Sequence, residues 1–280
     1  MGEWSSGYVE ANGPRLHYTR TGGAKPPVVL AHGLSDDGLC WTPVAEALAS
    51  EYDLVMVDAR GHGRSDAPDQ GYGPDTQATD LAGVITSLGL RRPAVLGHSM
   101  GASTALVLAG TRPDLPGAIL LEDPPAWWAA HSEAPSDVEE WGVELRAWLA
   151  AIKRKTRVEL IAAQRAASPG WDEAELDPWA DAKARLGCQV IGAFDRRPDV
   201  GIDWPATLGR IACPALLITA DSALGAGVTE ENGDELRTLV PGLRVAHIPG
   251  AGHNVRRDRF APFMGAVLPF LADWAASRPD

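Results

Sequence analysis

Six apolar runs of strand length punctuate the chain: PVVLAHG at 27–33, DLVMVDARG at 53–61, PAVLGHS at 93–99, AILLEDP at 118–124, PALLITAD at 214–221 and LRVAHIPG at 243–250. Their apolar positions are continuous rather than alternating. That is the pattern of strands covered on both faces, as in a parallel sheet. WTPVAEALAS follows the first run, TQATDLAGVITSLGL the second and GASTALVLAGTRPDL the third, each with helical character. The alternation of strand and helix predicts an α/β fold with a doubly wound sheet. The opening GYVEANGPRLHYTRTGG alternates about NGP instead and predicts an antiparallel hairpin at the sheet edge.

The alternation stops after Pro124. Residues 125–206 contain no strand-like run; DVEEWGVELRAWLAAIKRK and RVELIAAQRAA read as helices between turns rich in Gly and Pro. The expected organisation is a core of residues 1–124 and 207–280, with a helical cap of residues 125–206 lying over one end of the sheet. Of ten tryptophans, seven fall in this segment: Trp127, Trp128, Trp141, Trp148, Trp171, Trp179 and Trp204. Tryptophan buries a large area. Some of these are expected to seal the cap to the core and the rest to wall an apolar substrate pocket, with Trp128 and Trp179 as the candidate substrate-binding pair.

Composition narrows the function. A length of 280 residues suits one large domain carrying an insertion. The formal net charge of −12 argues against a nucleic-acid partner, which needs a basic stripe. Cys40, Cys188 and Cys213 are odd in number, scattered and without a CxxC pair, which predicts neither a metal cluster nor a disulfide framework. The N-terminus has no basic segment followed by an apolar one, so no signal peptide is expected. No apolar run reaches the roughly 18 residues that a membrane span needs. A cytoplasmic location follows as an expectation, and association into a homodimer stays open.

The chemistry centres on Gly97-His98-Ser99-Met100-Gly101. A serine between two glycines, after a buried strand and before a helix of small residues, matches the nucleophile elbow. The turn exposes the hydroxyl at the strand end, beside helix N–H groups that lack intrahelical acceptors. Such a serine needs a base. His17 lies in the hairpin, His32 and His98 in glycine turns, His62 in RGHGRSD and His131 in the inserted segment. His247 sits inside the last strand, where a packed core histidine is expected. His253 in PGAGHNVRRD, on the loop after that strand, remains as the base.

VLAHGLSDDG, VMVDARGHGRSD, LGHSMGA and IPGAGHNVRRD resemble, in order, the landmarks of the α/β-hydrolase fold, in its capped esterase- and lipase-like group. The resemblance covers the two core segments and not the insertion. It implies a serine hydrolase with no metal and no organic cofactor. It also implies an oxyanion hole from the backbone N–H groups of Met100 and Leu34, with His32 holding the loop and Asp58 to Asp66 serving as scaffold. Haloalkane dehalogenases and epoxide hydrolases carry an aspartate where this chain has Ser99, which sets them apart.

The acid departs from the family's usual pattern. Its common position, two residues past Asp221, is Ala223 here. A minority of relatives place the acid after the strand that follows the nucleophile helix. Matching RPDLPGAILLEDPP to that pattern without a gap puts Asp123 on the acid position, with Glu122 pointing to the other side of the strand. Asp123 is the expected acid, and Asp221 and Glu122 are the alternatives. The expected reaction is hydrolysis of an ester or lactone of a small apolar or aromatic substrate. Hydrolysis of a carbon–carbon bond or an amide, perhydrolysis, and a non-catalytic binding protein on this fold are the other readings.

Overall fold

The edge hairpin forms around the NGP turn, with Asn12 and Gly13 both at positive φ. In the computed structural model, which describes residues 4–129, 138–194 and 201–278, β1 (Ser5–Glu10) pairs antiparallel with β2 (Arg15–Arg20). The chain continues through β3 (Pro27–Ala31), a 3-10 turn at Gly38–Trp41, α1 (Thr42–Leu48), β4 (Asp53–Val57), α2 (Pro74–Ser87), β5 (Ala94–His98), α3 (Met100–Thr111) and β6 (Ala118–Glu122). Helices α4 (Val138–Lys153), α5 (Arg157–Ala167), α6 (Glu173–Arg185) and α7 (Trp204–Leu208) follow. The chain then re-enters the sheet with β7 (Ala215–Ala220), α8 (Glu230–Leu239) and β8 (Arg244–Ile248), and closes with α9 (Val255–Asp258) and α10 (Phe260–Ala276).

The sheet order is β1-β2-β4-β3-β5-β6-β7-β8. The hairpin joins β4 antiparallel, and every pairing from β4 to β8 is parallel. The continuous apolar runs become strands buried on both faces: every residue of β3, β4, β5, β6 and β7 is buried. One face packs on α2 and α3 through Leu81, Ile85, Leu106 and Leu108. The other packs on α1 and α10 through Val44, Leu48, Phe263 and Phe270. Each such side chain contributes about 1.5–3 kcal/mol of burial. No helix among the described residues is long and apolar enough to cross a membrane.

The described part of 125–194 is helical, as the broken alternation predicts. Helix α6 was not legible in the sequence because Pro178 lies inside it and proline ordinarily breaks a helix interior. Asp172 caps its first turn by accepting from Ala174 N, and Leu176, Ala180 and Lys183 are buried along it. Residue 206, expected to end the cap, falls inside α7. That short helix packs on α3: a Cβ on Gly110 would lie 2.3 Å from the Thr207 carbonyl oxygen. Trp204, expected among the cap tryptophans, belongs to the same buried cluster as α3. His247 is also not the core histidine expected. Its side chain is 53% exposed, because β8 is the edge strand and turns that face to solvent.

Candidate active site

The site lies where the strands end at their carboxyl edge. Ser99 joins β5 to α3 at φ 49° and ψ −112°, a region that costs a non-glycine residue of order 1–3 kcal/mol. The flanking glycines make this turn possible by absent side chains. A Cβ on Gly97 would lie 2.3 Å from the Gly101 carbonyl oxygen, and one on Gly101 would lie 2.2 Å from that of Ala31. Neither backbone could approach so closely with a methyl group between. Ser99 N donates to the Glu122 carbonyl at 2.9 Å, which ties the turn to the end of β6.

Asp123 follows β6 at φ 40° and is fully buried. Both carboxylate oxygens are held: Oδ2 accepts from Gly227 N at 2.8 Å and Oδ1 from Val228 N at 3.1 Å. His253 Nδ1–H donates to Asp123 Oδ2 at 2.6 Å. This fixes the imidazole tautomer and leaves Nε2 as the proton acceptor. Burial opposes a charge on His253, but the hydrogen bond and negative charge of Asp123 outweigh it and raise the pKa above the ordinary value. The loop carrying His253 is held just before it, by Asp221 N on the Ala251 carbonyl at 3.0 Å and by Gly252 N on Asp258 Oδ2 of α9 at 2.8 Å.

The loop after β3 stands against the serine. A Cβ on Gly33 would be 3.5 Å from Ser99 Cβ. Buried His32 donates from Nδ1 to the Gly33 carbonyl at 2.8 Å and accepts from Ala59 N at Nε2, 3.0 Å. Asp36 N donates to the same carbonyl at 3.1 Å. In a trans peptide the N–H points opposite to the C=O. Anchoring the Gly33 oxygen inward therefore turns the Leu34 N–H outward. The Leu34 carbonyl is met in turn by His62 Nε2 at 2.5 Å. Met100 opens α3, so its N–H is among the helical donors without an intrahelical acceptor.

The alternatives for the acid are engaged elsewhere. Asp221 accepts from His247 Nε2 at 3.0 Å and from Gly250 N at 2.7 Å. Glu122 faces the opposite side of the strand, where Arg256 N and Nη1 donate to it at 2.8 and 2.9 Å. Asp221→Asn is accordingly expected to leave kcat/KM within about threefold of the parent, as exposed substitutions shift free energies by about 0.5 kcal/mol. A loss of several hundredfold in steady-state assays would make Asp221 the acid.

Of the two tryptophans expected to bind substrate, Trp128 is buried and Trp179 is half-buried. Trp128 is buried in the core cluster, and its Nε1–H donates to the Asn232 carbonyl on α8 at 3.0 Å. Trp179 packs beside Ile161 on the cluster of Ile152, Leu160 and Ala180, with Lys183 Nζ 4.7 Å from its ring centroid. Single tryptophans at unknown helical phase gave no signal that could separate seal from wall. His131 lies outside the described residues.

A buried ion cluster behind His253 was invisible in the sequence. Asp36 meets Lys183 at 3.2 Å, Arg256 at 3.1 Å and Arg257 at 3.0 Å. Arg256 also pairs with Glu122 at 2.9 Å, and Arg257 with Glu175 at 3.0 Å. Burial opposes ionisation of Asp36, yet Arg257, Lys183 and Arg256 hold its pKa well below the usual carboxylate range. The six groups come from four segments distant in sequence, so no local spacing reports them. They bind α6 to the loop after β3 and to α9. Asp36→Asn would leave buried cations under-compensated, and urea unfolding is expected to show a loss of about 3–5 kcal/mol. A loss below 1 kcal/mol would show that the cluster does not bear on stability.

A profile of the alpha/beta hydrolase family matches residues 28–264. The chain is 32% identical over 271 residues to the N-formylmaleamate deformylase of Pseudomonas putida, covering 95% of this chain and 96% of that protein. Among solved structures, an N-formylmaleamic acid deformylase from Pseudomonas putida superposes with a TM-score of 0.78 at 26% identity, covering 94% of this chain and all of that one. The enol-lactonase from Burkholderia xenovorans superposes with a TM-score of 0.72 at 26% identity, covering 95% of this chain and all of that one.

Proposed function

This chain belongs to the alpha/beta hydrolase family, and within it we propose a serine hydrolase that cleaves an ester or lactone of a small apolar substrate through an acyl-enzyme. The observation that carries the reading is the strained Ser99 turn, whose preceding residue His98 bonds the backbone of His253 and lies 4.8 Å from its ring, with the His253 Nδ1–H held by a buried, fully hydrogen-bonded aspartate. His253 Nε2 takes the hydroxyl proton as Ser99 Oγ adds to the substrate carbonyl. The oxyanion that forms is held by the N–H groups of Leu34 and Met100. Two fixed donors matter, because removing one typically costs about 10²–10³ in rate. His253 then gives the proton to the leaving oxygen, the C–O bond breaks, and water attacks the acyl-enzyme by the same relay in reverse.

The pH dependence follows from the charge on His253. The base works only when neutral, and its pKa is raised above 6.5. The acid limb of kcat/KM is therefore expected to have its midpoint above 6.5, the ordinary histidine value. A midpoint well below that value would contradict the His253–Asp123 pairing.

Residues 125–206 are proposed to act as a cap that sets selectivity. Leu149 of α4, Leu186 and Val190 form one buried cluster with Tyr72, and Leu34 packs against it. The inserted segment thus touches the residue proposed as an oxyanion donor. An amide substrate is the second reading. It is favoured by the end-to-end match to a deformylase of N-formylmaleamate, a name that describes an N-acyl bond. The deciding assay sets p-nitrophenyl esters of rising chain length and aromatic lactones beside N-formyl and N-acetyl amides. Labelling by a fluorophosphonate probe runs in parallel. Turnover of esters or lactones above that of every amide supports the first reading, and the reverse order supports the second. Failure of the probe to label folded protein would overturn both.

A further inference from the structure

The proposed mechanism leaves a buried histidine beside the serine without a task. His98 ends β5, directly before Ser99, and is 3% exposed. Its Nε2–H donates to the backbone carbonyl of His253 at 3.0 Å, across a sequence separation of 155 residues. The two imidazole rings lie 4.8 Å apart at an interplanar angle of 46°. On the other side of the His98 ring, Nδ1 has no hydrogen-bond partner among the described residues. It faces Gly33, where an added Cβ would come within 2.7 Å of it.

We infer that His98 is a positioning residue that sets the gap between the loop carrying the base and the loop after β3. This rests on the reading of Ser99 and His253 as nucleophile and base. A carbonyl oxygen only accepts, so the single proton of a neutral His98 sits on Nε2 and Nδ1 is a lone pair. Burial, with Arg256 and His253 nearby, holds the ring neutral by lowering its pKa well below the ordinary value. Neutrality matters. A charge on a ring touching His253 would oppose the imidazolium that His253 must become during attack. The ring therefore does three things for its neighbours. It holds the His253 backbone by one hydrogen bond at Nε2, it spaces that backbone from Gly33 by its in-plane breadth from Nε2 to Nδ1, and it adds no charge.

Phenylalanine would keep a flat ring of slightly greater breadth and lose the donor. Glutamine would keep a donor near the place of Nε2. Asparagine would keep a donor too short to reach it. A base displaced by about 1 Å costs on the order of 10² in rate.

The test uses His98→Phe, His98→Gln and His98→Asn in the full chain, with kcat, KM, melting temperature and the acid limb of kcat/KM measured for each. His98→Phe is expected to lower kcat by about 10²-fold with KM changed far less. Its acid limb should move down toward the ordinary histidine value as the His253–Asp123 bond loosens. His98→Gln is expected to recover most of kcat and the raised limb, and His98→Asn is not. A role in packing alone would lower the melting temperature and leave the limb in place. Folded His98→Phe with parental kcat and limb would overturn the inference. Should His98→Phe not fold, equal kcat and equal limbs for His98→Gln and His98→Asn would overturn it. Ser99→Ala measured beside them separates the two failures. An active Ser99→Ala removes the serine reading itself, whereas an inactive one with a parental His98→Phe removes only the role of His98.

Discussion

Ser99→Ala is expected to lose at least about 10⁴ in kcat on every substrate the parent hydrolyses, the scale seen when a triad nucleophile is removed. The oxyanion donors and the pocket would survive the change, because the elbow is shaped by Gly97 and Gly101 and by the backbone bond from Ser99 N to the Glu122 carbonyl. Substrate binding should therefore persist, with KM close to the parent. The strain at φ 49° offers a second readout. Alanine inherits that strain and glycine does not. Elsewhere in a helix or strand glycine is less stable than alanine by about 0.5–1 kcal/mol. At this position Ser99→Gly should melt no lower than Ser99→Ala. Near-parental turnover by pure Ser99→Ala would remove the serine from the mechanism, and a markedly lower melting point for Ser99→Gly would remove the strain argument.

Asp123→Asn is the second large effect, and the structure gives it two components. The catalytic one comes from the His253 tautomer. An amide oriented by its NH₂ toward His253 would favour the wrong ring nitrogen, and the equivalent change in a serine protease lowers kcat by about 10⁴. The acid limb should fall as well, since the charge that raises the pKa of His253 is gone. The structural component comes from Gly227 and Val228, whose N–H groups donate to the two separate carboxylate oxygens. Asparagine offers one oxygen, so an NH₂ group must face a buried N–H donor. An unsatisfied buried donor costs about 1–3 kcal/mol. Asp123→Asn should therefore melt below the parent, unlike Ser99→Ala. The activity loss must be read on protein shown to be folded by circular dichroism. Folded Asp123→Asn with kcat within tenfold of the parent would show that the carboxylate is not the partner that His253 requires.

The elements were legible where the chain carries a local signal. Continuous apolar runs marked buried strands because a parallel strand is covered on both faces. NGP marked the hairpin because it needs positive φ. The Gly97–Gly101 spacing marked the elbow because a side chain at either end would strike backbone. Position relative to the last strand made His253 the candidate base, and the family resemblance around LLEDPP made Asp123 the candidate acid ahead of Glu122. Helix α6 was hidden by Pro178, and the burial of Trp204 against α3 leaves no mark in a run of five residues.

By itself the sequence determined the order of the buried strands, the sharp turn at Ser99 and the separation of Asp123 from Glu122 onto opposite faces. Each follows from backbone sterics and the periods of strand and helix, which act over a few residues. Only the tertiary structure decided which partners those residues meet. It placed Asp123 beside His253 across 130 positions, closed the ion cluster around Asp36 from four separate segments, sent Trp128 into the core and set His98 between the base loop and Gly33. These contacts depend on how the crossovers bring the carboxyl ends of β3, β5, β6 and β8 together. Hydrogen bonds and ion pairs at distances near 3 Å are fixed by that global packing, which no local pattern encodes.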